Sequence, residues 1–195
     1  MKIIDNKKNA IQELKRISDR TNSENNNEIN AIVEAILQEV KNFGDIAVEK
    51  YTKKFDGFNP DPMQVSTDQL KEAWDEIDSN LKHSLEVAYK RIKKFHENEI
   101  PPSFTIKGEH GDTVQRRWKP VKNAGIYIPG GRASYPSTVL MNAIPAKVAG
   151  VEEILMVSPG NIDGKINKTV LAAAHLSGIN KVFRIGGAQA IGALA

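Results

Sequence analysis

Three short stretches hold the residues best suited to chemistry: Pro129-Gly130-Gly131, Ser158-Pro159-Gly160 and Gly186-Gly187-Ala188-Gln189. Each follows a run of strand-forming residues, Gly125–Ile128, Glu153–Val157 and Lys181–Ile185. Glycine lets backbone approach a ligand closely, and a helix that starts after such a turn offers free amides to an anion. If the three strands run parallel, their turns share one carboxyl edge, the place where open α/β folds bind ligands. The pattern therefore predicts a crevice of nucleotide or phosphate size. None of the turns spells G-x-G-x-x-G, no G-x-x-x-x-G-K-[ST] occurs, and Gly-Gly after a strand is about as often a plain tight turn.

Individual side chains at these turns carry two readings. Tyr127 alternates with Ile126 and Ile128 on its strand, so it is either a core aromatic or a ring at the lip of the crevice with its hydroxyl available. Gln189 falls in the first turn of a helix, where its amide either solvates the end or meets a ligand as both donor and acceptor. Ser137 and Thr138, after Pro136, read as a helix start with a capping role. The four histidines, His83, His96, His110 and His175, form no H-E-x-x-H pair and read as surface or packing residues. No metal site and no Ser-His-Asp arrangement is predicted within the chain.

The elements that would position these turns change character along the chain. Ile11, Leu14 and Ile17 mark a short amphipathic helix, and the polar stretch Asn22–Asn27 reads as a linker. Ile32, Ile36, Val40 and Phe43 recur at helical spacing up to Gly44; a second helix runs through Ile46, Ala47 and Tyr51 to Phe55-Asp56-Gly57. Ser66-Thr67-Asp68-Gln69 fits a capping box, and a long helix from about Ser79 to Asn98 ends at Pro101-Pro102. Phe104–Ile106 and Thr113–Trp118 form a predicted hairpin. From Gly125 onward, strands alternate with helices at Ser137–Val148 and Lys168–Leu176, which implies crossovers and a parallel sheet. Pro145 predicts a kink or break in the first of these. The fold class is thus α/β: a helical N-terminal region followed by an incomplete Rossmann-like parallel sheet. The expected divisions are an arm at 1–25, a helix-rich part with the hairpin at 26–124, and the Rossmann-like domain at 125–195.

Composition fits a soluble globular chain. Of 195 residues, 40% are hydrophobic and 26% charged, with a net charge of +3. Residues 121–195 carry seven basic and three acidic side chains against twenty and twenty-one before them, a mild bias that suits a small anionic ligand. No aromatic stacking pattern accompanies the basic runs, which argues against nucleic acid. With no cysteine, no membrane-length apolar run and no secretory leader pattern, the expectation is a cytoplasmic protein.

The run Gly125-Ile126-Tyr127-Ile128-Pro129-Gly130-Gly131-Arg132-Ala133-Ser134-Tyr135-Pro136-Ser137-Thr138, continuing to Gly150, closely resembles the signature of histidinol dehydrogenases. Phe183–Ile191 resembles the next block of that family, and Gly44-Asp45 with Tyr51–Gly57 also looks like its pattern; the match holds register from about residue 28 to the end. The resemblance implies two successive oxidations of L-histidinol to L-histidine in histidine biosynthesis, with NAD as hydride acceptor. It also implies a homodimer of incomplete Rossmann-like domains. Carried over by motif position, Tyr127 and Gln189 correspond to NAD contacts, with Pro129 beside them. The family's zinc ligands, its Glu-His acid/base pair and several histidinol contacts are expected beyond residue 195, so no catalytic residue is expected in this chain.

Ala188–Ala195 reads as the start of an apolar helix without a C-terminal cap, and three strands alone would leave an apolar sheet edge. Both features match the expectation of an N-terminal portion that is inactive alone. The alternatives are a non-catalytic dinucleotide-binding module derived from the same family, and a helical interaction protein for which a cofactor would not affect thermal stability.

Overall fold

The computed structural model describes residues 3–18, 25–130 and 134–195. Its helices are α1 (Lys7–Ser18), α2 (Asn25–Phe43), α3 (Asp45–Phe55), α4 (Thr67–Glu76), α5 (Ser79–Glu97), α6 (Pro136–Ala149), α7 (Lys168–Leu176) and α8 (Gly187–Leu194). The strands are β1 (Gln64–Val65), β2 (Phe104–Lys107), β3 (Thr113–Arg116), β4 (Asn123–Tyr127), β5 (Glu153–Val157) and β6 (Lys181–Phe183). Of the expected linker, Asn22–Glu24 lies outside the described residues, while Asn25–Asn27 belongs to the first turn of α2 rather than to a loop.

β4, β5 and β6 are parallel, as expected, in the order β6-β5-β4. Their register lines up two rows of side chains. Ile126, Met156 and Val182 face one side, and Tyr127, Val157 and Phe183 face the other. The first row packs with Val139, Leu140, Ala143 and Ile144 of α6 and Val170 and Ala173 of α7, backed by Leu70 of α4 and Leu85 of α5. Tyr127, Val157 and Phe183 pack with Ile36 and Val40 of α2, Val48 and Tyr51 of α3 and Ala190 of α8. The sheet is therefore covered on both faces, which suits its short apolar strands.

The sheet has a fourth strand that the sequence does not announce. β1 pairs antiparallel with β6, Val65 opposite Val182, and closes the edge that three strands would have left open. Arg184 fastens the join: its Nε donates to the Pro62 carbonyl at 2.7 Å, its guanidinium also reaches the Gly164 carbonyl at 3.3 Å, and its amide donates to Met63 at 2.9 Å.

The predicted capping box at α4 is present: the Ser66 hydroxyl accepts from the Gln69 amide at 3.2 Å, and the Gln69 side chain accepts from the Ser66 amide at 3.0 Å. α6 departs from expectation at its start. It begins at Pro136 itself, whose fixed φ suits the first helical position, so Ser137 and Thr138 lie inside the helix and neither caps it. Of the kink or break expected at Pro145 the break does not occur, since the helix continues to Ala149; Pro145 lines a surface cleft with Trp118 and Pro120.

β2 and β3 form a separate two-stranded sheet with Ile106 opposite Val114, and every residue of both strands is exposed. α1 likewise buries no residue. Among the described residues no helix is long and apolar enough to cross a membrane.

Replacing Ser66 with Ala removes one acceptor of the capping box and should cost about 1 kcal/mol. The melting temperature should fall by about 2–4 °C. An unchanged thermal melt would show that α4 is held by packing alone.

Candidate functional site at the carboxyl edge

Backbone hydrogen bonding carries the three strands to a common finish. The ladder runs one residue past β4 and β5, with the Ile128 amide donating to Val157 at 2.9 Å and the Ser158 amide to Phe183 at 3.0 Å. It stops at Pro129 and Pro159, which have no amide to donate. The turns that follow pack on one another. A Cβ at Gly130 would stand 2.6 Å from Pro159 Cγ, and one at Gly186 would stand 2.6 Å from Pro159 Cβ. Both glycines are thus required by the close meeting of the turns themselves.

The helices then change face. α6 and α7 lie over one side of the sheet, while α8 crosses the other side from the end of β6 back to β4, where Leu194 packs over Gly125. In open α/β folds ligands bind where such a reversal occurs, and here the reversal falls at the carboxyl end of β4, which Tyr127 closes.

Tyr127 and Gln189 meet around Gly187. The Tyr127 hydroxyl accepts from the Gly187 amide at 3.0 Å and so satisfies one of the free donors at the start of α8. Gly187 has φ +63°, and a Cβ there would stand 2.6 Å from Gln189 Oε1, so both its conformation and its neighbour demand glycine. Gln189 does not solvate the helix end: it is fully buried, and neither its Nε2 nor its Oε1 has a hydrogen-bond partner among the described residues. A buried primary amide with nothing to bond costs about 1–3 kcal/mol. Pro129 is exposed and lines a different space, a 390 Å³ cleft between the ends of β4 and β5. Gly131, Arg132 and Ala133 lie outside the described residues.

Two further polar residues belong to this edge and were not singled out from the sequence. The first residues of α3, Asp45, Val48 and Glu49, share a 480 Å³ cavity with Ala193 and Leu194 at the end of α8. The other end of α3, carrying Thr52 and Asp56, therefore runs toward the start of α8. Thr52 is fully buried, and neither its Oγ1 nor the buried Oδ2 of Asp56 has a partner among the described residues. Burial raises the Asp56 pKa above the ordinary carboxylate range. Just beyond, Phe58 packs against Gly160 and Gly164 in the turn after β5, tying this segment to the strand ends. The available signal was the spacing of Thr52 and Asp56, one helical turn apart before Gly57, which read simply as a helix stop.

The histidines lie where packing and surface roles put them. His175 stacks on Trp74 with ring centroids 6.3 Å apart, His96 pairs with Glu99, and His83 and His110 are exposed.

The fold defines an open α/β protein with a cleft at the carboxyl ends of its parallel strands, the class in which ligands commonly bind at that edge. The family profile described as histidinol dehydrogenase matches residues 19–195, and the chain belongs to that family. It is 88% identical over its whole length to the histidinol dehydrogenase of Prochlorococcus marinus (strain MIT 9312), of which it covers 44%. It is 45% identical over 196 aligned residues to that of Gloeobacter violaceus, again covering 44%. The crystal structure of histidinol dehydrogenase from Elizabethkingia anophelis superimposes with a TM-score of 0.80 at 38% identity, over 85% of this chain and 38% of that one. The chain thus spans less than half the length of the curated relatives it matches.

Two substitutions test this geometry. Gly130→Ala should destabilise by about 1–3 kcal/mol through overpacking. Adding Pro159→Ala should recover part of that loss, because it removes the Cγ in the way, whereas the same second change should not rescue Gly186→Ala, which meets Cβ. Asp56→Asn should raise the melting temperature at pH 7. The folded-state pKa of Asp56 is raised, so ionising it costs stability as pH climbs above the unfolded value. The advantage of the variant should therefore shrink as pH falls and the wild-type carboxyl protonates; a constant difference across acid pH would contradict this assignment.

Proposed function

We propose that this chain supplies the NAD-holding part of a histidinol dehydrogenase acting on L-histidinol in histidine biosynthesis. The observation that carries the proposal is Gln189, sealed in the fold with both amide atoms unbonded beside Tyr127 and the start of α8. A side chain kept at such cost fits a partner that arrives from outside the chain.

The residues present suit a dinucleotide. Gln189 can donate from Nε2 and accept at Oε1 at once. The Tyr127 hydroxyl already accepts from Gly187, so its own proton remains to be donated to a ligand oxygen. Pro129 adds an exposed apolar wall at the strand end. NAD, when bound, would supply the hydride acceptor; what these side chains contribute is position and orientation. For zinc the described residues do not offer a site, since no three His, Asp or Glu side chains gather. In such an enzyme the zinc ligands, the acid/base pair and the remaining histidinol contacts would come from sequence after residue 195. A cytoplasmic homodimer completes the reading.

A thermal-shift titration tests the proposal. NAD at ten times its dissociation constant should stabilise the chain by about 1.4 kcal/mol, a rise of about 3–5 °C. Gln189→Met should melt higher than wild type without NAD, because an unbonded amide is replaced by an apolar chain of similar size, and it should lose the NAD-dependent rise. A Gln189→Met variant that keeps the full rise would sink the assignment. The 195-residue chain with zinc and L-histidinol should yield no NADH; turnover near that of a full-length relative would refute the division of labour.

A further inference from the structure

The cleft that Pro129 lines is separate from the space around Gln189, and its chemistry is that of an anion site. It lies between the ends of β4 and β5 and has a volume of 390 Å³, within the range of small-molecule sites. Ser134, Ser158, Asn161, Lys165, Asn167 and Lys168 contribute its polar lining, and among the described residues no carboxylate lines it. Ser158 is 2% exposed; its amide is used in the sheet ladder, and its hydroxyl makes no hydrogen bond to the described residues. A hydroxyl in that position is a donor held ready at the floor of the cleft.

The surrounding backbone is fixed. Asn161 closes a tight loop, its side chain accepting from the amides of Asp163 at 3.0 Å and Lys165 at 2.8 Å, while its own amide donates to the Lys165 carbonyl at 2.9 Å. Phe58 supports that loop from below at Gly160 and Gly164. Lys168 is ion-paired with Glu76, whereas Lys165 forms no ion pair among the described residues. The nine-residue helix α7 begins in the cleft. Asn167 caps the Thr169 amide at 2.9 Å and leaves the Lys168 amide without an acceptor.

We propose that this cleft is a phosphate subsite, binding a phosphate group of a nucleotide through the Ser158 hydroxyl, the Lys165 ammonium and the first amide of α7. In dinucleotide folds the end of the second parallel strand usually offers a carboxylate to a ribose hydroxyl. Here that position holds Ser158, with lysines nearby, which suits phosphate oxygens and not a ribose diol. The dinucleotide reading is needed only for the identity of the larger ligand. A bridging pyrophosphate and a 2′-phosphate share this chemistry of recognition, and the binding measurements below separate them.

Binding of inorganic pyrophosphate, NAD, NADP and adenosine to the 195-residue chain, measured by calorimetry at low salt, tests the subsite. Pyrophosphate should bind saturably. Lys165→Gln should weaken it about tenfold and Ser158→Ala about threefold or more, the scale of one charge-assisted and one neutral hydrogen bond. Lys181→Gln, whose lysine pairs with Glu153 at 2.5 Å, should leave it unchanged, and adenosine should be indifferent to all three. NADP binding about tenfold tighter than NAD would assign the 2′-phosphate; equal affinities, both weakened by Lys165→Gln, would assign the bridge. Pyrophosphate affinity unmoved by both Ser158→Ala and Lys165→Gln, or no saturable binding, overturns the subsite even if NAD still raises the melting temperature. Conversely, pyrophosphate binding lost in Lys165→Gln, with no NAD effect at all, would retain the subsite and remove the dinucleotide reading. Lys165 is exposed on its loop, so its variant carries the test should Ser158→Ala fold poorly.

Discussion

Pro159 fills the space that side chains at 130 and 186 would occupy, and around that ring the ends of three strands are drawn together. Parallel pairing alone would bring the strand ends to the same edge without fixing how their turns meet. The proline makes the turns interlock, and the glycines are the only residues that allow it without displacement. From this follow the position of Gly187, the bond it donates to Tyr127 and the direction in which α8 leaves the sheet. The cleft between β4 and β5 has Pro159 in its wall for the same reason. One close contact therefore organises both the start of α8 and the wall of the adjoining cleft.

Polar side chains without partners gather near this edge. Gln189 and Thr52 are buried and Asp56 is half-buried, and each holds a polar atom with no partner among the described residues, at a cost to the fold. Ser158 and Lys165 line the open cleft. Such unbalanced groups are expected at sites of function, where stability is given up for preorganisation. Ser177, at the far end of α7, is the exception away from the strand ends. The row Ile126, Met156 and Val182, by contrast, is packed against aliphatic helix faces.

Most of the architecture was legible because it is written in local periodicity. The alternation around Tyr127, the helical spacing of Ile36 and Val40, the Ser66 box and the glycine turns are all signals within a few residues of the chain. What escaped was decided at long range. β1 is two residues long and has no period of its own; it is a strand only because β6 offers it an edge. Asn25–Asn27 looks like a loop by composition and becomes helix as the first turn of α2. A break at Pro145 was one of two outcomes that local rules allow, but α6 runs on past it, with Ala143 and Ile144 buried in the core just before the proline. At the site, the sequence identified Tyr127, Pro129 and Gln189 through family resemblance, but not that Pro129 would open onto a different space. Nor could it show that Gln189 would be sealed from solvent, because burial depends on α3, more than a hundred residues earlier in the chain.

The pairing of Val65 with Val182 has a consequence for how the molecule assembles. The β2–β3 hairpin joins neighbours in the chain and can zip up on its own, at small entropic expense. The β1–β6 edge instead needs the whole stretch from Gln64 to Phe183 to be gathered first, and contacts of such span are characteristically slow to form. The sheet is thus completed late, and its outermost strand, only two residues long, is the natural point from which it would come undone. Arg184, bonded at once to Pro62 and Gly164, works as a latch on that final closure.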